Sequence, residues 1–337
     1  MPEPNDFTPF DAEGGLVFAM RLPGTREEVR GARRSWAELT DGTPQNPLWI
    51  NLDRTKARAQ QWIREEAGLD GLVADALLAE ETRPRFQSVG GGLLVILRGV
   101  NMNPGAEPDD MIAVRLWLEP TRIITLRAHR FQTIAALRER GEEGKLPATV
   151  GGFLIALASG LAARTAPSVD NLEEMLDTIE DEMIDTDSEE AEHRKTLSTI
   201  RRQAISYRRH LVPQRDAIFG VSLDPNELLT PRERAELHAV GEQFTRIAED
   251  LEELRDRAAV TQEEMRARRE ARINRTLYML TIVATVALPL GLLTGLLGIN
   301  VGGMPLEGSH WGFAIVTILL VVLAAAEVVL FKWLRLL

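Results

Sequence analysis

The sequence contains no cysteine, and this absence excludes disulfide bonds and thiolate metal sites. An export signal is also lacking, because the opening stretch MPEPNDFTPFDAEGGLVFAM has neither a basic start nor an apolar core. Acidic residues outnumber basic ones, and the formal net charge of −11 leaves no basic excess for binding phosphate backbones. We therefore expect an N-terminal part that stays in the cytoplasm and no nucleic-acid partner.

Recognisable catalytic motifs are missing as well. The chain has no phosphate-binding Walker loop, no GxSxG elbow and no HxxxH pair of metal ligands. Its histidines are scattered, at His129, His193, His210, His238 and His310. We expect no enzyme, no resident cofactor and no tetrahedral zinc site within a span.

Charge is almost absent from two long runs near the C-terminus. No charged residue lies between Leu277 and Ile299, and Glu327 is the one charged residue between Trp311 and Leu330. Each run reaches the roughly 20 apolar residues that a helix needs to cross a bilayer. We predict two membrane spans in contact with lipid. They are a first transmembrane helix at 276–299, an outer loop at 300–310 and a second transmembrane helix at 311–334.

Basic residues are distributed unequally around these runs. Arginines crowd the chain before the first run, and Lys332 and Arg335 follow the second, whereas residues 300–310 contain no lysine or arginine. Basic residues of membrane proteins concentrate on the cytoplasmic side. The sequence therefore predicts a multi-pass membrane protein with both termini in the cytoplasm.

The N-terminal part is typical of an α/β domain. Strand-like runs alternate with helical or turn-rich segments, and these runs are GLVFAMRL, PLWINLD, GGLLVILRGV and IAVRLWLEPTRIITLRA. Farther along, the pattern is helical, with one interruption at GVSLDPNELLTPRER. We predict an α+β membrane protein with a mixed sheet. Before the spans, its parts are an α/β cytoplasmic domain at 1–130, a cytoplasmic helical region at 131–230 and a stalk helix at 231–275.

The helical region separates its charges by sign. Residues 170–192 contain acids without lysine or arginine, and residues 194–215 contain bases without acids. One interpretation is an antiparallel hairpin whose unlike charges compensate each other. The other is an acidic cytoplasmic surface that attracts cations by its field.

Heptad spacing marks the stalk. Apolar residues recur at alternating intervals of three and four, at Leu237, Val240, Phe244, Ile247, Leu251, Leu254 and Ala258. Such a seam predicts a partner helix. No proline or glycine interrupts residues 242–288, so we predict one helix from about Arg232 to Leu297. Only about 30 Å of it is needed to cross the bilayer.

The segment NRTLYMLTIVATVALPLGLLTGLLGINVGGMP, residues 274–305, resembles the first span and outer loop of the CorA metal-ion transporter superfamily, the two-span GxN proteins. Its GIN turn followed by VGG is similar to the zinc-transporting ZntB branch, as are RPRFQSVGGGLLVILRGVN and RLWLEPTRIITLR nearer the N-terminus. This resemblance implies a funnel-shaped homopentamer. The first span of each subunit would line the pore, and the second would lie outside it. Together with one pore-lining span per subunit, the heptad seam predicts an oligomer.

The resemblance implies that Asn300 stands at the outer mouth of the pore. An amide at membrane depth is costly unless it faces water or protein, so it indicates function; the alternative is an asparagine that caps the span. Five copies would form a ring of amide oxygens that holds a hydrated divalent cation weakly enough to release it. Gly298 and Ile299 belong to the same turn, and Glu307 is a candidate for collecting cations.

The family's pore register implies further lumen residues: Leu277, Thr281, Ala284, Leu288, Gly291 and Gly295. Leu277 and Leu288 either form constrictions that gate by dewetting or pack between helices. Two acids are candidates for a regulatory or proton site. For Glu263 on the stalk the alternative is a solvated helix face, and for Glu327 in the second span it is a structural hydrogen bond.

We expect a divalent metal-ion transporter. The resemblance implies zinc uptake across the inner membrane, linked to the proton gradient. A magnesium or cobalt channel is the first alternative, and nickel and cadmium are further candidate ions. A membrane-anchored coiled-coil scaffold is a second alternative, which leaves the GIN turn unexplained.

Overall fold

The structure is a computed structural model that describes residues 14–24, 36–40, 42–107, 109–185, 190–299 and 310–333. The chain divides into two units, Met1–Gln262 and Glu263–Leu337. Each unit is described by itself below.

The first unit contains a six-stranded sheet. Its strands are β1 (Leu16–Arg21), β2 (Leu48–Asp53), β3 (Arg85–Val89), β4 (Gly92–Val100), β5 (Met111–Glu119) and β6 (Arg122–Arg127). The spatial order is β1-β2-β6-β5-β4-β3, with β2 and β6 parallel and all other neighbours antiparallel. The prediction of a mixed sheet is confirmed. The sequence analysis missed β3, because its side chains are exposed or half-buried and show no apolar alternation.

Short helices cover one face of the sheet. They are α1 (Ala57–Gln61), a π-helical turn (Trp62–Glu66) and α2 (Gly71–Leu78). Trp62, Ile63 and Leu77 pack there against Leu94 and Ile96 of β4 in one buried cluster. Because side chains alternate along a strand, the remaining β4 residues face the other side.

Two further helices cover that other face, α3 (Gln132–Glu142) and α4 (Val150–Asp185). The ring centroids of Phe153 in α4 and Trp49 in β2 lie 4.7 Å apart. At Gly99 of β4 a Cβ atom would lie 2.9 Å from the Leu161 side chain, so this glycine allows α4 to approach the sheet closely. The sheet is therefore covered on both faces.

Three more long helices follow α4 in the described part of the chain: α5 (Glu190–Leu223), α6 (Pro231–Leu297) and α7 (Gly312–Trp333). Helix α6 has 67 residues and is about 100 Å long at the standard rise. The predicted single helix from Arg232 to Leu297 is confirmed. It begins with a capping box, in which the Thr230 hydroxyl accepts from the Glu233 amide and the Glu233 carboxylate accepts from the Thr230 amide. Pro231 occupies the first helical position, where its missing N–H costs nothing.

Glu233 also connects α6 to the start of α4. Its carboxylate accepts a hydrogen bond from the Thr149 hydroxyl, and that hydroxyl in turn accepts from the Gly152 amide at 3.0 Å. Burial alone raises the pKa of the Glu233 carboxyl, but the hydrogen bonds from Thr149, Thr230 and Gly152 outweigh burial and lower it below its ordinary value. One carboxylate thus stabilises the N-termini of two helices.

The heptad seam of α6 is covered within the chain. Every seam residue from Leu237 to Ala258 is buried, and Leu237, Phe244, Leu251 and Ala258 are 0% exposed. Helix α5 supplies part of the cover, since a Cβ atom on Gly241 would lie 2.5 Å from the Phe219 ring. The seam predicted a partner helix correctly. Because the seam is covered within the chain, it is not by itself evidence of an oligomer, and the oligomer stays a prediction.

Helix α6 also provides most of the side chains that pair with the acidic residues of α4 and the basic residues of α5. Arg257 donates to Asp177 of α4 at 2.5 Å and to Glu180 at 2.6 Å. Arg208 of the basic helix α5 pairs with Glu252 of α6 at 2.8 Å. The acidic and basic helices therefore compensate largely through a third helix, and half-exposed pairs of this kind stabilise by about 0–1 kcal/mol each. His193 of α5 and Glu182 of α4 also pair directly, at 2.8 Å.

Candidate functional site

Within the described residues, three helices are long and apolar enough to cross a membrane: α4, α6 and α7. Half of the apolar window of α4 is buried inside the chain, where Phe153, Leu157 and Leu161 have at most 1% exposure. Helix α4 is therefore apolar because it packs on the sheet. The apolar windows of α6 and α7 are not buried at all, so these two helices match the predicted spans.

One face of the apolar part of α6 is open in the single chain. The six predicted lumen residues, from Leu277 to Gly295, fall within about 80° on a helical wheel. Five of them are exposed, with Leu277 at 55% and Leu288 at 71%, and Ala284 is half-buried. We call these six residues the open face.

The glycines of the open face have no packing role within the chain. Around both Gly291 and Gly295, a Cβ atom would have no neighbour within 4 Å. Glycine inside a helix costs about 1 kcal/mol relative to alanine. Packing among the described residues gives no reason for this cost.

The opposite side of the same segment is partly covered. Its half-buried residues are Ile282, Val286, Leu290, Leu293 and Leu297. Helix α7 has a comparable stripe, formed by the half-buried Val316, Leu320, Leu323 and Glu327 and the buried Phe331.

Threonine hydroxyls inside the apolar segment are satisfied locally. Thr281, Thr285 and Thr294 donate to the carbonyls of the residues four positions earlier, at 2.8, 2.7 and 2.9 Å. Such bonds remove the cost of a hydroxyl at membrane depth. Pro289 lacks an N–H, so the Thr285 carbonyl has no helical donor. Thr285 and Thr294 were not among the predicted site residues. A threonine inside a predicted helix is nevertheless expected to donate to the carbonyl four residues earlier.

The GIN turn begins where α6 ends. The Gly298 amide donates to the Thr294 carbonyl at 2.9 Å and to the Gly295 carbonyl at 3.2 Å, and Ile299 is 49% exposed. Asn300 and Glu307 lie outside the described residues. Their predicted roles therefore stay predictions, supported by the helix that leads into the turn.

Glu327 lies on the half-buried side of α7. Its Oε2 atom is shielded from solvent and has no hydrogen-bond partner among the described residues. Thr281 on α6 donates its hydroxyl to the Leu277 carbonyl. An unsatisfied carboxyl oxygen in an apolar segment requires an explanation. The structure brings no donor to this atom from the described part of α6.

Glu263 on the stalk is 74% exposed at its side chain, and its carboxylate lies 3.5 Å from Arg266. The neighbouring Glu264 pairs with Arg268 at 2.6 Å. This geometry agrees with a solvated helix face. Among the described residues, no three histidine, aspartate or glutamate side chains come together in a group that could hold a metal ion.

Comparisons with known proteins agree with this architecture. Residues 44–335 match the family described as CorA-like Mg2+ transporter protein. The chain is 36% identical over 324 residues to the divalent cation transporter CmaX of Pseudomonas aeruginosa, covering 96% of this chain and 97% of CmaX. It is 31% identical over 309 residues to the zinc transport protein ZntB of Pectobacterium carotovorum, covering 92% of each.

A solved structure of full-length CmaX has the same fold. It covers 99% of this chain and 100% of the CmaX chain, with a TM-score of 0.83 and 35% sequence identity. The match includes both units, so the sheet, the long helices and the two apolar helices recur together. The family match over most of the chain, two relatives above 30% identity and this shared fold lead to one conclusion: the chain belongs to the CorA-like Mg2+ transporter family.

Proposed function

We propose that the protein transports divalent metal ions through a homopentameric pore in the bacterial inner membrane, and that zinc uptake linked to the proton gradient is its main activity. Membership of a family of transporters supports transport, and the names of the relatives support a divalent ion. The chain is 36% identical to CmaX, whose name specifies a divalent cation, and 31% identical to ZntB, whose name specifies zinc. The relatives therefore support a divalent cation more directly than they support zinc.

The open face of α6 carries this proposal. It combines exposed leucines with two glycines that have no packing partner in the chain. A helix facing only lipid needs no glycine, because apolar side chains of any size satisfy lipid. A helix that lines a narrow lumen with four copies of itself needs small residues, since backbones must approach the axis and each other.

The lumen offers oxygen rather than nitrogen or sulfur. The described part of the open face has no imidazole, carboxylate or thiol, and Thr281 contributes a hydroxyl. Such a surface cannot strip the hydration shell from a divalent ion at a reasonable cost. The ion would therefore pass with water, held briefly by the Asn300 amide ring at the outer mouth and separated from bulk water at Leu277 and Leu288.

A magnesium or cobalt channel is the competing function, because the family description names magnesium. Ion flux distinguishes the two. Purified protein is reconstituted in liposomes that enclose a zinc-sensitive or magnesium-sensitive dye, with and without an inward proton gradient. Protein-free liposomes are the control.

We expect zinc entry above the control, faster with the proton gradient. Magnesium entry that exceeds zinc entry and ignores the gradient would establish the competing function instead. No flux of either ion would reject transport.

A further inference from the structure

The first unit contains a cavity of about 430 Å³ that the transport proposal does not use. It lies between the loop after β4 and the helices α4 and α5. Its polar lining includes Arg164, Gln203 and Glu107, and its apolar lining includes Val100, Met102 and Pro167. This volume falls in the range of small-molecule sites.

Gln203 places an amide at the cavity wall. Its side chain is 7% exposed and lines the cavity, and it makes no hydrogen bond with the described residues. Its amide atoms are open to the cavity, so they are available to hydrogen-bond a bound molecule.

Arg164 adds an unpaired positive charge. Its Nε atom is buried without a hydrogen-bond partner, and the guanidinium pairs with no carboxylate among the described residues. In α4 the neighbouring Pro167 has no N–H, so the Ala163 carbonyl lacks its helical donor at the cavity wall. The cavity therefore presents a cation, a free amide and a free carbonyl acceptor together.

Glu107 supplies a negative charge at the same cavity. Its side chain is exposed and forms no ion pair with Arg164 or with any other described residue. A simple anion would be attracted by Arg164 and repelled by Glu107. A ligand with one anionic and one cationic group would satisfy both.

We propose that this cavity is a binding site for an α-amino acid with an apolar side chain. The carboxylate pairs with Arg164 and accepts from the Gln203 amide, and the ammonium group donates to Glu107 and to the Ala163 carbonyl. The apolar side chain lies against Val100, Met102 and Pro167.

The test measures the melting temperature of the full-length protein in detergent, with the proteinogenic amino acids added one at a time. Arg164→Met and Glu107→Gln remove one charge each. Arg202→Met is the matched control, because Arg202 is exposed on α5 beside Gln203 and lies outside the cavity. Inorganic phosphate and sodium acetate serve as anion probes.

We expect an apolar amino acid to raise the melting temperature of the wild type and of Arg202→Met in a concentration-dependent way. Affinity should fall roughly 10- to 100-fold in Arg164→Met and roughly tenfold in Glu107→Gln, because each loses a charge-assisted hydrogen bond. Neither variant should lower the melting temperature without ligand, since neither side chain has a partner to lose.

Three results would overturn the inference. They are no shift with any amino acid, an equal shift in Arg164→Met, and an Arg164-dependent shift with phosphate or acetate that ignores Glu107→Gln. The first would mean a cavity filled by water alone, and the last a plain anion site. Binding is scored without ion flux, so failure of this site and failure of the transport proposal remain distinguishable.

Discussion

Two stretches of the single helix α6 share the same spacing but differ in their surroundings. The stalk seam from Leu237 to Ala258 is buried within the chain, whereas the open face from Leu277 to Gly295 is largely exposed. Alternating intervals of three and four residues therefore do not show by themselves whether a helix face is covered within its own chain. Composition distinguishes them: the seam has Phe244 and bulky aliphatic residues, and the open face has two glycines and a threonine.

The largest expected effect lies at the outer end of the open face. Asn300→Ala should abolish ion flux in liposomes while the assembly stays intact, because it removes the amide ring but little packing volume. Flux and native mass are measured on the same preparation. Flux at the wild-type level would mean that Asn300 only caps the span.

Phe244→Ala and Leu288→Ala compare the two stretches directly. Phe244 is 0% exposed, so its truncation should destabilise the first unit by about 3–5 kcal/mol. Leu288 is 71% exposed in the chain, so its truncation should leave the stability of that unit unchanged and alter ion flux. Thermal unfolding followed by circular dichroism measures the first effect. Equal destabilisation by both variants would remove the distinction between seam and open face.

Glu327→Gln tests the acid that faces the covered side of α7. If Glu327 carries protons, this variant should bind zinc but lose the pH dependence of zinc flux. The alternative, a structural hydrogen bond, predicts an unchanged pH profile. The measurement is zinc flux across a range of imposed pH gradients, with Glu236→Gln, an exposed acid near the start of α6, as the control.

Glu233→Gln should have the smallest effect, about 1 kcal/mol lower stability at neutral pH, through loss of charge at two helix N-termini. The folded-state pKa of Glu233 lies below its ordinary value of 4.5. Its contribution is therefore full above that ordinary value and is lost as pH falls through the folded-state pKa.

Melting temperatures of wild type and Glu233→Gln should differ at neutral pH and converge in acid. Glu236→Gln is a suitable control, because Glu236 pairs only with an exposed arginine, Arg232, in the same helix. A constant difference across the pH range would contradict a role for the charge.

Much of the fold could be predicted from the sequence, since periodicity and charge are local signals. The apolar alternation gave five of the six strands, and the uninterrupted run before Pro289 gave the length of α6. The edge strand β3 lacked such a signal. The partner of the stalk seam could not be predicted, because packing between α4, α5 and α6 depends on tertiary contacts.

The candidate site, too, could be predicted from the sequence only in part. The open face followed from a resemblance, and the structure adds that Gly291 and Gly295 have no neighbour in the chain. The cavity at Arg164 and Gln203 was not predicted, because its lining comes from three segments that are distant in sequence. Pro167 in the middle of a long helix was its only local signal.

The oligomeric state tests the central claim most directly, because the open face is a pore wall only if copies of the chain surround an axis. The measurement is native mass spectrometry of the full-length protein released from detergent micelles. We predict a single species with five times the chain mass of 37.5 kDa. A monomer would contradict the pore and would leave the open face as a lipid-facing surface.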